Sequence, residues 1–321
     1  MAYFKKFYGA LMLVLLFCTS TIADDDLRAN ATFNITVLYP EARKPYSTFF
    51  DAIINGIKEQ PQLNIQALTF DKSLDEEELL LSLQKTNPDA VILLGRENIP
   101  LQEKIATSFK TVHGALFLSG QDIKKGHSGV SMNPDPALLF AELKKIQPSI
   151  KEIHVVFDPT ANGWLVQRAI ESTAKNGLTI IPHKVSNLQQ AALKYKEIVR
   201  NSNPTEDALW LLHHDPTLDN KSLLPRVLSD AWKYKQVVIS SNPSHVRRGA
   251  LLSILPDNQQ IGKDLALTVI RLLNGGKANI TPMQSTLVVA NLRTAKHLSN
   301  TIHLTKKTNF ALTYPKGVAN D

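Results

Sequence analysis

The sequence predicts an α/β protein with two doubly wound parallel-sheet lobes. Short apolar runs without alternation recur along the chain, as in strands that are covered on both faces of a parallel sheet. Apolar stripes of helical spacing separate these runs. Nine strands exceed one doubly wound sheet of ordinary size, so we expect the chain to form two lobes.

The predicted elements alternate in order from residue 34 onward. Apolar runs predict strands over residues 34–39, 64–70, 90–94, 114–118, 153–157, 178–181, 208–212, 237–240 and 251–255. Helical stripes cover residues 50–57, 223–232 and 259–273, and Gly275-Gly276 ends the last of them. The turn-rich segment 126–136 predicts a crossing between lobes, and segment 241–248 predicts an irregular connection.

Residues 1–23 have the pattern of a secretory signal peptide. Lys5 and Lys6 precede an apolar run that is short for a membrane span, and small residues lead up to Ala23. We therefore expect cleavage after Ala23 and a periplasmic mature protein. A single-pass anchor and acylation at Cys18 are the alternatives.

Composition excludes several classes of function. Cys18 is the single cysteine, so the mature chain forms no internal disulfide and no thiolate metal site. The formal charge of +7 falls to +5 without Lys5 and Lys6, and the remaining basic residues are scattered. A nucleic-acid footprint would cluster them on one face, so we expect no nucleic-acid partner.

Polar residues followed by proline mark the ends of several predicted strands. Proline cannot donate to the strand ladder and restricts the residue before it, so each pair stops a strand. The carboxyl ends of parallel strands line the ligand crevice in doubly wound sheets. Two facing lobes would bring these ends to opposite walls of one ligand cleft. Helix capping is the alternative role for each residue. The polar or aromatic residues and their prolines are Tyr39-Pro40, Asp158-Pro159, Asp215-Pro216 and Asn242-Pro243, and Leu255-Pro256-Asp257 ends a further strand.

The polar groups near these strand ends suit a small zwitterion. Arg96 could hold a carboxylate through two hydrogen bonds, or form a surface salt bridge with Glu97 or Glu103. Aspartates could face an ammonium group, and aromatic rings could stack on an apolar part, although Trp164 on a helix also suits core packing. The predicted ligand-binding residues are Tyr39, Arg96, Ser119, Asp158, Asn162, Trp164, His213, Asp215, Asn242 and Asp257.

Catalytic motifs are absent from the sequence. It contains no phosphate-binding glycine loop, no dinucleotide-binding glycine motif, no His-Glu-x-x-His and no Gly-x-Ser-x-Gly. His213 and His214 are adjacent and directly follow a predicted strand. In extended backbone, adjacent side chains point to opposite faces, so the two rings cannot easily share a metal ion. We expect no enzyme activity, no cofactor and no metal.

Several segments resemble one protein family. They are Val155-Val-Phe-Asp-Pro159, residues 207–218, Ser244-His-Val-Arg-Arg-Gly-Ala250, residues 236–274 and Asn291-Leu-Arg-Thr-Ala-Lys296. Together they resemble the ABC-transporter substrate-binding proteins, a family with the type I periplasmic binding protein fold that includes tryptophan- and phenylalanine-binding members. The first lobe departs from the pattern of the amino-acid-binding members at residues 39–45.

The resemblance implies three crossings between lobes, near residues 132, 256 and 282. Lobe 1 would then comprise residues 24–132 and 257–281, and lobe 2 residues 133–256 and 282–321. The family implies a monomer that captures a small molecule by hinge closure and presents it to an ABC permease. The alternative is an orphan ligand-sensing protein that signals to a membrane-bound receptor.

Overall fold

The computed structural model describes residues 32–44, 46–70, 75–95, 99–118, 122, 126–173, 177–298 and 310–316. The predicted signal peptide and the predicted site residues Arg96 and Ser119 lie outside these ranges. No helix in the described ranges combines the length and the apolar character needed to cross a membrane.

The first sheet is parallel throughout and forms the core of lobe 1. Its strands, in spatial order, are β11, β5, β4, β3, β1 and β2. Three helices follow its first three strands, as a doubly wound fold requires. The strands are β1 (Phe33–Pro40), β2 (Leu63–Phe70), β3 (Ala90–Leu94), β4 (Thr111–Leu116), β5 (Ser128–Pro134) and β11 (Ile280–Met283), and the helices are α1 (Tyr46–Lys58), α2 (Glu76–Thr86) and α3 (Ile99–Ser108).

The second sheet forms the core of lobe 2 and is parallel except at one edge. Its order is β13, β12, β10, β9, β8, β6 and β7, and β12 pairs antiparallel with β10. The strands are β6 (Glu152–Phe157), β7 (Thr179–Lys184), β8 (Asp207–Leu211), β9 (Val237–Ser240), β10 (Leu252–Pro256), β12 (Thr286–Asn291) and β13 (Leu312–Tyr314). The helices of this part of the chain are α4 (Pro136–Ile146), α5 (Pro159–Thr173), α6 (Leu188–Asn201), α7 (Leu223–Lys233), α8 (Ser244–Arg248), α9 (Asn258–Leu273) and α10 (Leu292–His297).

Each sheet is buried on both faces. In lobe 1, α1 and α9 cover one face around Ile53 and Leu265, while α2 and α3 cover the other around Leu83 and Ile105. In lobe 2, α4 and α5 pack on the face that carries Trp210, and α6 and α7 pack on the opposite face. This arrangement explains the unbroken apolar runs of the strands.

The chain passes between the two sheets three times among the described residues. It leaves the first sheet after β5, returns when α9 follows β10, and leaves again between β11 and β12. Helix α9 therefore starts beside lobe 2 and packs along α1 of lobe 1.

Helices α1 and α9 touch backbone to backbone where they cross. A Cβ atom at Gly56 would lie 1.9 Å from the carbonyl oxygen of Gln259, and one at Gly262 would lie 2.0 Å from the carbonyl oxygen of Ile53. Only glycine fits at these two positions, and the pair fixes how closely α9 approaches lobe 1.

Sequence analysis missed a strand within residues 126–136. Strand β5 runs through residues 128–134 between β4 and β11, and the chain leaves the first sheet at its end. Gly129 explains the misleading composition, because a Cβ there would lie 2.3 Å from the carbonyl oxygen of His113 on β4. Strand β5 needs a small residue where its backbone approaches that of β4. The glycine interrupts the apolar run by which a strand is predicted.

Candidate functional site

The carboxyl ends of the two sheets meet at an aromatic contact, and we call the region around it the candidate cleft. Phe117, just after β4 of lobe 1, packs against two histidines that follow β8 of lobe 2. Its ring centroid lies 4.3 Å from that of His213 and 4.8 Å from that of His214. The two strand ends therefore meet, as the doubly wound fold predicts for a ligand crevice.

An open pocket of about 740 Å³ lies on the lobe 1 side. It opens between the ends of β1 and β3, which is where the strand order of this sheet reverses. Ligands of doubly wound proteins bind at such switch points. The pocket is lined by Pro40, Glu41, Ala42, Arg43, Lys44, Tyr46, Phe50 and Gly95.

The lining of this pocket combines two aromatic rings, of Tyr46 and Phe50, with two exposed cations and the exposed carboxylate of Glu41. Tyr46 is 72% exposed, and Arg43 and Lys44 are also exposed. Tyr39 lies deeper, because its ring packs 6.0 Å from that of Phe50 in the core. The backbone at Gly95 has φ +83°, which glycine adopts without strain, and this lets the chain turn away from β3 close to Pro40.

Asp215 organises the facing switch point of lobe 2, between β6 and β8. Its carboxylate accepts hydrogen bonds from the Asp158 amide at 3.1 Å, the Asn162 side-chain amide at 2.9 Å and the Thr217 amide at 2.9 Å. Asp215 is only 6% exposed. Its main effect is to lock the ends of two strands together, because its oxygens are occupied by protein donors.

Asp158 has one carboxylate oxygen committed and one available. Oδ1 accepts hydrogen bonds from the amides of Thr160 and Ala161, which caps α5. Oδ2 accepts none from the described residues, and the side chain is half-buried. Asp158 thus keeps one carboxylate oxygen without a hydrogen-bond donor among the described residues at this strand end.

Both histidines after β8 contact Phe117. Sequence analysis expected extended backbone with the two rings on opposite faces, but β8 ends at Leu211 and the pair lies in the following turn. His214 has φ +52°, and this left-handed conformation brings its ring within 3.9 Å of the His213 ring, centroid to centroid. Both rings can therefore contact Phe117.

His213 is neutral over the physiological range. Burial, with smaller contributions from His214 and His245, lowers the pKa of His213 to about 3. Its Nδ1 atom is shielded from solvent and has no hydrogen-bond partner among the described residues. A buried polar atom in a cleft wall can be satisfied by a ligand or a water molecule.

Phe117 is held by hydrogen bonds from β5. The Ser131 hydroxyl accepts from the Leu118 amide at 3.1 Å, and the Asn133 side-chain amide donates to the Leu118 carbonyl at 3.3 Å. A register shift in β4 and φ +57° at Ala115 redirect the chain just before Phe117. Sequence analysis missed Phe117 because its apolar run was assigned to the strand interior.

Three other predicted site residues have structural partners. The Trp164 ring packs on the core of lobe 2. The Asn242 side chain accepts from the Ser244 amide at 3.0 Å, and the Asp257 side chain accepts from the Gln260 amide at 3.1 Å. The Asp257 bond is a helix cap, the alternative role that the sequence left open, whereas the Asn242 bond forms an Asx turn just before α8.

Asp135 is a second residue that sequence analysis missed. It caps α4 directly after the chain leaves lobe 1, and is 6% exposed. Its Oδ2 accepts hydrogen bonds from Arg168 on α5 at 2.7 Å and from Gln284 at 3.2 Å. Because Gln284 lies between β11 and β12, this carboxylate joins two of the crossings. The Asp135-Pro136 pair is a helix-start signal that could have marked the position.

A serine, a histidine and an asparagine also line up beneath β9. Ser240 Oγ lies 2.9 Å from His245 Nδ1, and His245 Nε2 lies 2.8 Å from Asn220 Oδ1. Ser240 is fully buried, and its oxygen already accepts from the Asn242 amide at 3.0 Å. A catalytic nucleophile must reach its substrate, and a fully buried serine cannot. We therefore assign these hydrogen bonds a structural role, in which they hold the loop after β9 in place.

A second cavity lies outside the cleft. It measures about 390 Å³ and opens beside Trp232, Arg248, Arg293 and His297, near the amino-terminal ends of β9 and β10. The His297 ring stacks on Trp232 at 3.8 Å, and His297 Nε2 donates to the Trp232 carbonyl. These contacts tie α10 to α7, so we do not include the cavity in the site.

Comparisons with known proteins agree on fold and family. The family model described as ABC transporter substrate binding protein matches residues 127–305. The ligand-free, open structure of a substrate binding protein with adhesive properties from Clostridium difficile is 15% identical, covers 88% of this chain and 99% of its own, and has a TM-score of 0.58. The XylFII–LytSN complex is 14% identical, covers 81% and 98%, and has a TM-score of 0.53.

Another solved structure is similar over the same length. It is an ABC domain in complex with L-Trp from Streptococcus pneumoniae, 18% identical, covering 88% of this chain and 100% of its own, with a TM-score of 0.48. A comparison with curated protein sequences gives no match.

Proposed function

Since the chain belongs to the family of ABC transporter substrate binding proteins, we propose that it captures a small solute in the cleft and presents it to an ABC permease. The observation that carries the proposal is the contact between strand ends of the two lobes, where Phe117 packs against His213. We place the solute near this contact, between the lobe 1 pocket beside Gly95 and the lobe 2 segment joined by Asp158 and Asp215. A solute held there contacts both lobes.

Contact with both lobes gives the protein a means of reporting occupancy. A ligand that binds the closed arrangement better than the open one shifts the population towards closure. The three crossings act as the hinge, and a permease can then distinguish the closed, loaded form from the open one. Export to the periplasm completes this proposal, because the solute must be captured outside the inner membrane.

The chemistry of the cleft supports a zwitterionic solute such as an amino acid. Arg43 and Lys44 at the lobe 1 pocket can attract a carboxylate, while the available Oδ2 of Asp158 can accept from an ammonium group. The two charges lie on opposite lobes, so a zwitterion would favour closure. The Phe117 and Tyr46 rings offer apolar faces for a side chain.

Signalling to a membrane-bound receptor is the second candidate. XylFII has the same fold and is found in a complex with LytSN. The two candidates share the ligand-binding step and differ only in the protein that recognises the closed form. Reconstitution with the permease of the same organism separates them, because only the transport function predicts ligand-dependent ATP hydrolysis.

A thermal-shift screen tests the ligand-binding step. The protein is refolded to remove any bound ligand and screened against amino acids, peptides, sugars and nucleosides. A concentration-dependent rise in Tm for one class is expected, because a ligand that binds only the folded state stabilises it. A well-folded sample that responds to none of these classes would contradict solute binding.

Two matched variants localise the response. Asp158→Ala and Asn187→Ala each remove the N-cap of a lobe 2 helix, at a cost of about 1 kcal/mol of stability. Asn187 follows β7 at the sheet edge, away from the switch point. We expect Asp158→Ala to weaken ligand binding about tenfold or more and Asn187→Ala to leave it unchanged. Equal affinities in both variants would remove Asp158 from the site.

A further inference from the structure

We propose that lobe 2 carries a binding site for a divalent transition-metal ion such as Zn²⁺. The site lies at the amino-terminal ends of strands β6 and β8, opposite the carboxyl ends that face the candidate cleft. The ligands are Glu152 Oε2, His154 Nε2 and Asp207 Oδ2, and His183 positions the imidazole. The site lies outside the solute cleft and is independent of the proposed transport function.

The strand register places all three ligands on one face of the sheet. Glu152 and His154 are two residues apart on β6, so their side chains point the same way. Asp207 is the register partner of Glu152 on the neighbouring strand β8. The three residues come from two strands that are 55 positions apart in the chain, and β6–β8 pairing alone brings them together.

The spacing of the ligand atoms suits one ion. His154 Nε2 lies 3.9 Å from Glu152 Oε2 and 3.8 Å from Asp207 Oδ2, and one ligand atom from each residue lies within 4.8 Å of the others. These separations are too long for hydrogen bonds. Zinc binds nitrogen and oxygen at about 2.0–2.2 Å, so ligands on one ion lie roughly 3–4.4 Å apart. An ion fits between them with side-chain adjustments alone.

His154 is oriented as a metal ligand. Its Nδ1 atom lies 3.1 Å from His183 Nε2, while its Nε2 atom is shielded from solvent and has no hydrogen-bond partner among the described residues. When Nδ1–H donates to His183, the lone pair on Nε2 points between the two carboxylates. A metal-bound histidine typically donates its other ring N–H in this way, which fixes its tautomer.

The carboxylates are also suitably placed. Asp207 Oδ2 accepts a hydrogen bond from the Asn203 amide at 2.7 Å, which holds it towards the histidine. The side chains of His154 and Asp207 are each 14% exposed, whereas that of Glu152 is 47% exposed. Glu152 therefore forms the entry side, and water can complete the coordination there. The competing explanation is that the hydrogen bonds of the cluster hold it in place and that it takes no metal.

Zinc titration of the purified, metal-stripped protein distinguishes these explanations. We expect one Zn²⁺ per chain in a chelator-competition assay and a rise in Tm on adding Zn²⁺, because the ion ties β6 to β8. We expect no comparable response to Mg²⁺, since imidazole nitrogen is a poor ligand for it. Absence of stoichiometric Zn²⁺ binding, or Mg²⁺ binding as tight as Zn²⁺ binding, would overturn the proposal.

Variants assign the ion to this cluster. His154→Gln and Asp207→Asn should abolish the stoichiometric binding, and His183→Leu should weaken it about 10–100-fold by releasing the imidazole. His297→Gln is the control, because this lobe 2 histidine donates to the backbone of Trp232. Should a buried variant fail to fold, Glu152→Gln on the exposed side serves in its place. Binding that survives His154→Gln or Glu152→Gln in a folded protein would contradict the assignment.

Discussion

At the scale of single residues, Asp215 does most to shape the cleft wall of lobe 2. Its buried carboxylate accepts from the Asp158 amide, the Asn162 side chain and the Thr217 amide. Asp215→Ala leaves these donors in a site with little access to water. We expect a loss of about 2–4 kcal/mol in the free energy of unfolding, measured by urea denaturation.

Two further variants calibrate this measurement. Asp215→Asn keeps one acceptor oxygen, so its free energy of unfolding should fall by less than that of Asp215→Ala. Asp51→Ala changes an exposed aspartate on α1 and should stay within about 0.5 kcal/mol of the unmodified protein. A loss for Asp215→Ala as small as that for Asp51→Ala would show that these hydrogen bonds do not support the fold.

His213 should make the protein sensitive to acid. Its pKa is about 3 in the folded protein because it is buried, against an ordinary value of about 6.5 in the unfolded chain. Below pH 6.5 the unfolded chain binds a proton that the folded protein does not. The stability that neutral His213 contributes is therefore present above about pH 6.5 and is lost as the pH falls towards 3.

Thermal melts between pH 7 and pH 4 test this dependence. His113 and His245 have the same sign, since burial lowers the pKa of each to about 4. We expect the Tm of the unmodified protein to fall with acidification. The Tm of the His213→Gln variant should fall less steeply, because this variant lacks one of the buried histidines. Parallel curves for the two proteins would show that His213 does not carry part of the effect.

Sequence reasoning singled out two aspartates that the fold brings into contact. The proline after Asp158 and after Asp215 marked both as strand ends, and the fold then brings them together. It could not show that the Asp215 carboxylate accepts hydrogen bonds from other parts of the protein, because these donors lie up to 57 residues away in the sequence. Phe117 was missed for a related reason, since only the bulge in β4 turns its ring towards His213.

At the scale of elements, the contact between α1 and α9 joins lobe 1 to the chain returning from lobe 2. Gly262→Ala would place a Cβ 2.0 Å from the carbonyl oxygen of Ile53, a backbone atom that cannot rotate away. We expect the helices to separate and the free energy of unfolding to fall by about 1–3 kcal/mol or more. Urea denaturation measures this loss.

Gly163→Ala provides the matched control. Gly163 lies within α5, and the nearest atom to an added Cβ is a proline side-chain carbon at 4.0 Å. Alanine is the better helix former by about 1 kcal/mol, so this variant should be neutral or stabilised. Equal destabilisation by both substitutions would mean that the α1–α9 crossing is not the tight contact described.

The predicted elements were most accurate where the burial is uniform. Residues 90–94 and 237–240 match β3 and β9, because both strands are buried on each face. Strands β5, β11, β12 and β13 were not predicted. Strand β5 needs glycine beside β4, and the short strands β11 to β13 lie at the sheet edges or next to them, where long apolar runs are not required.

At the scale of the whole molecule, the number of predicted strands indicated two lobes, the resemblance to a known family indicated how the chain crosses between them, and the structure supplies the connections. Asp135 receives hydrogen bonds from Arg168 and Gln284, so one carboxylate ties two crossings to lobe 2. Sequence analysis could not find this cluster, because its members come from three segments. The division of the chain at residues 132, 256 and 282 remains a prediction.

The central claim is that a small solute closes the two lobes, and a distance measurement between spin labels tests it most directly. Leu81 on α2 and Leu193 on α6 are 64% and 71% exposed, so cysteines there can carry labels without disturbing the core. Cys18 is the only native cysteine and can be replaced by serine. The solute that raises the Tm should shift the label-to-label distance distribution to a single closed population, and Asp158→Ala should require more solute for the same shift. An unchanged distribution at saturating solute would contradict closure on the ligand.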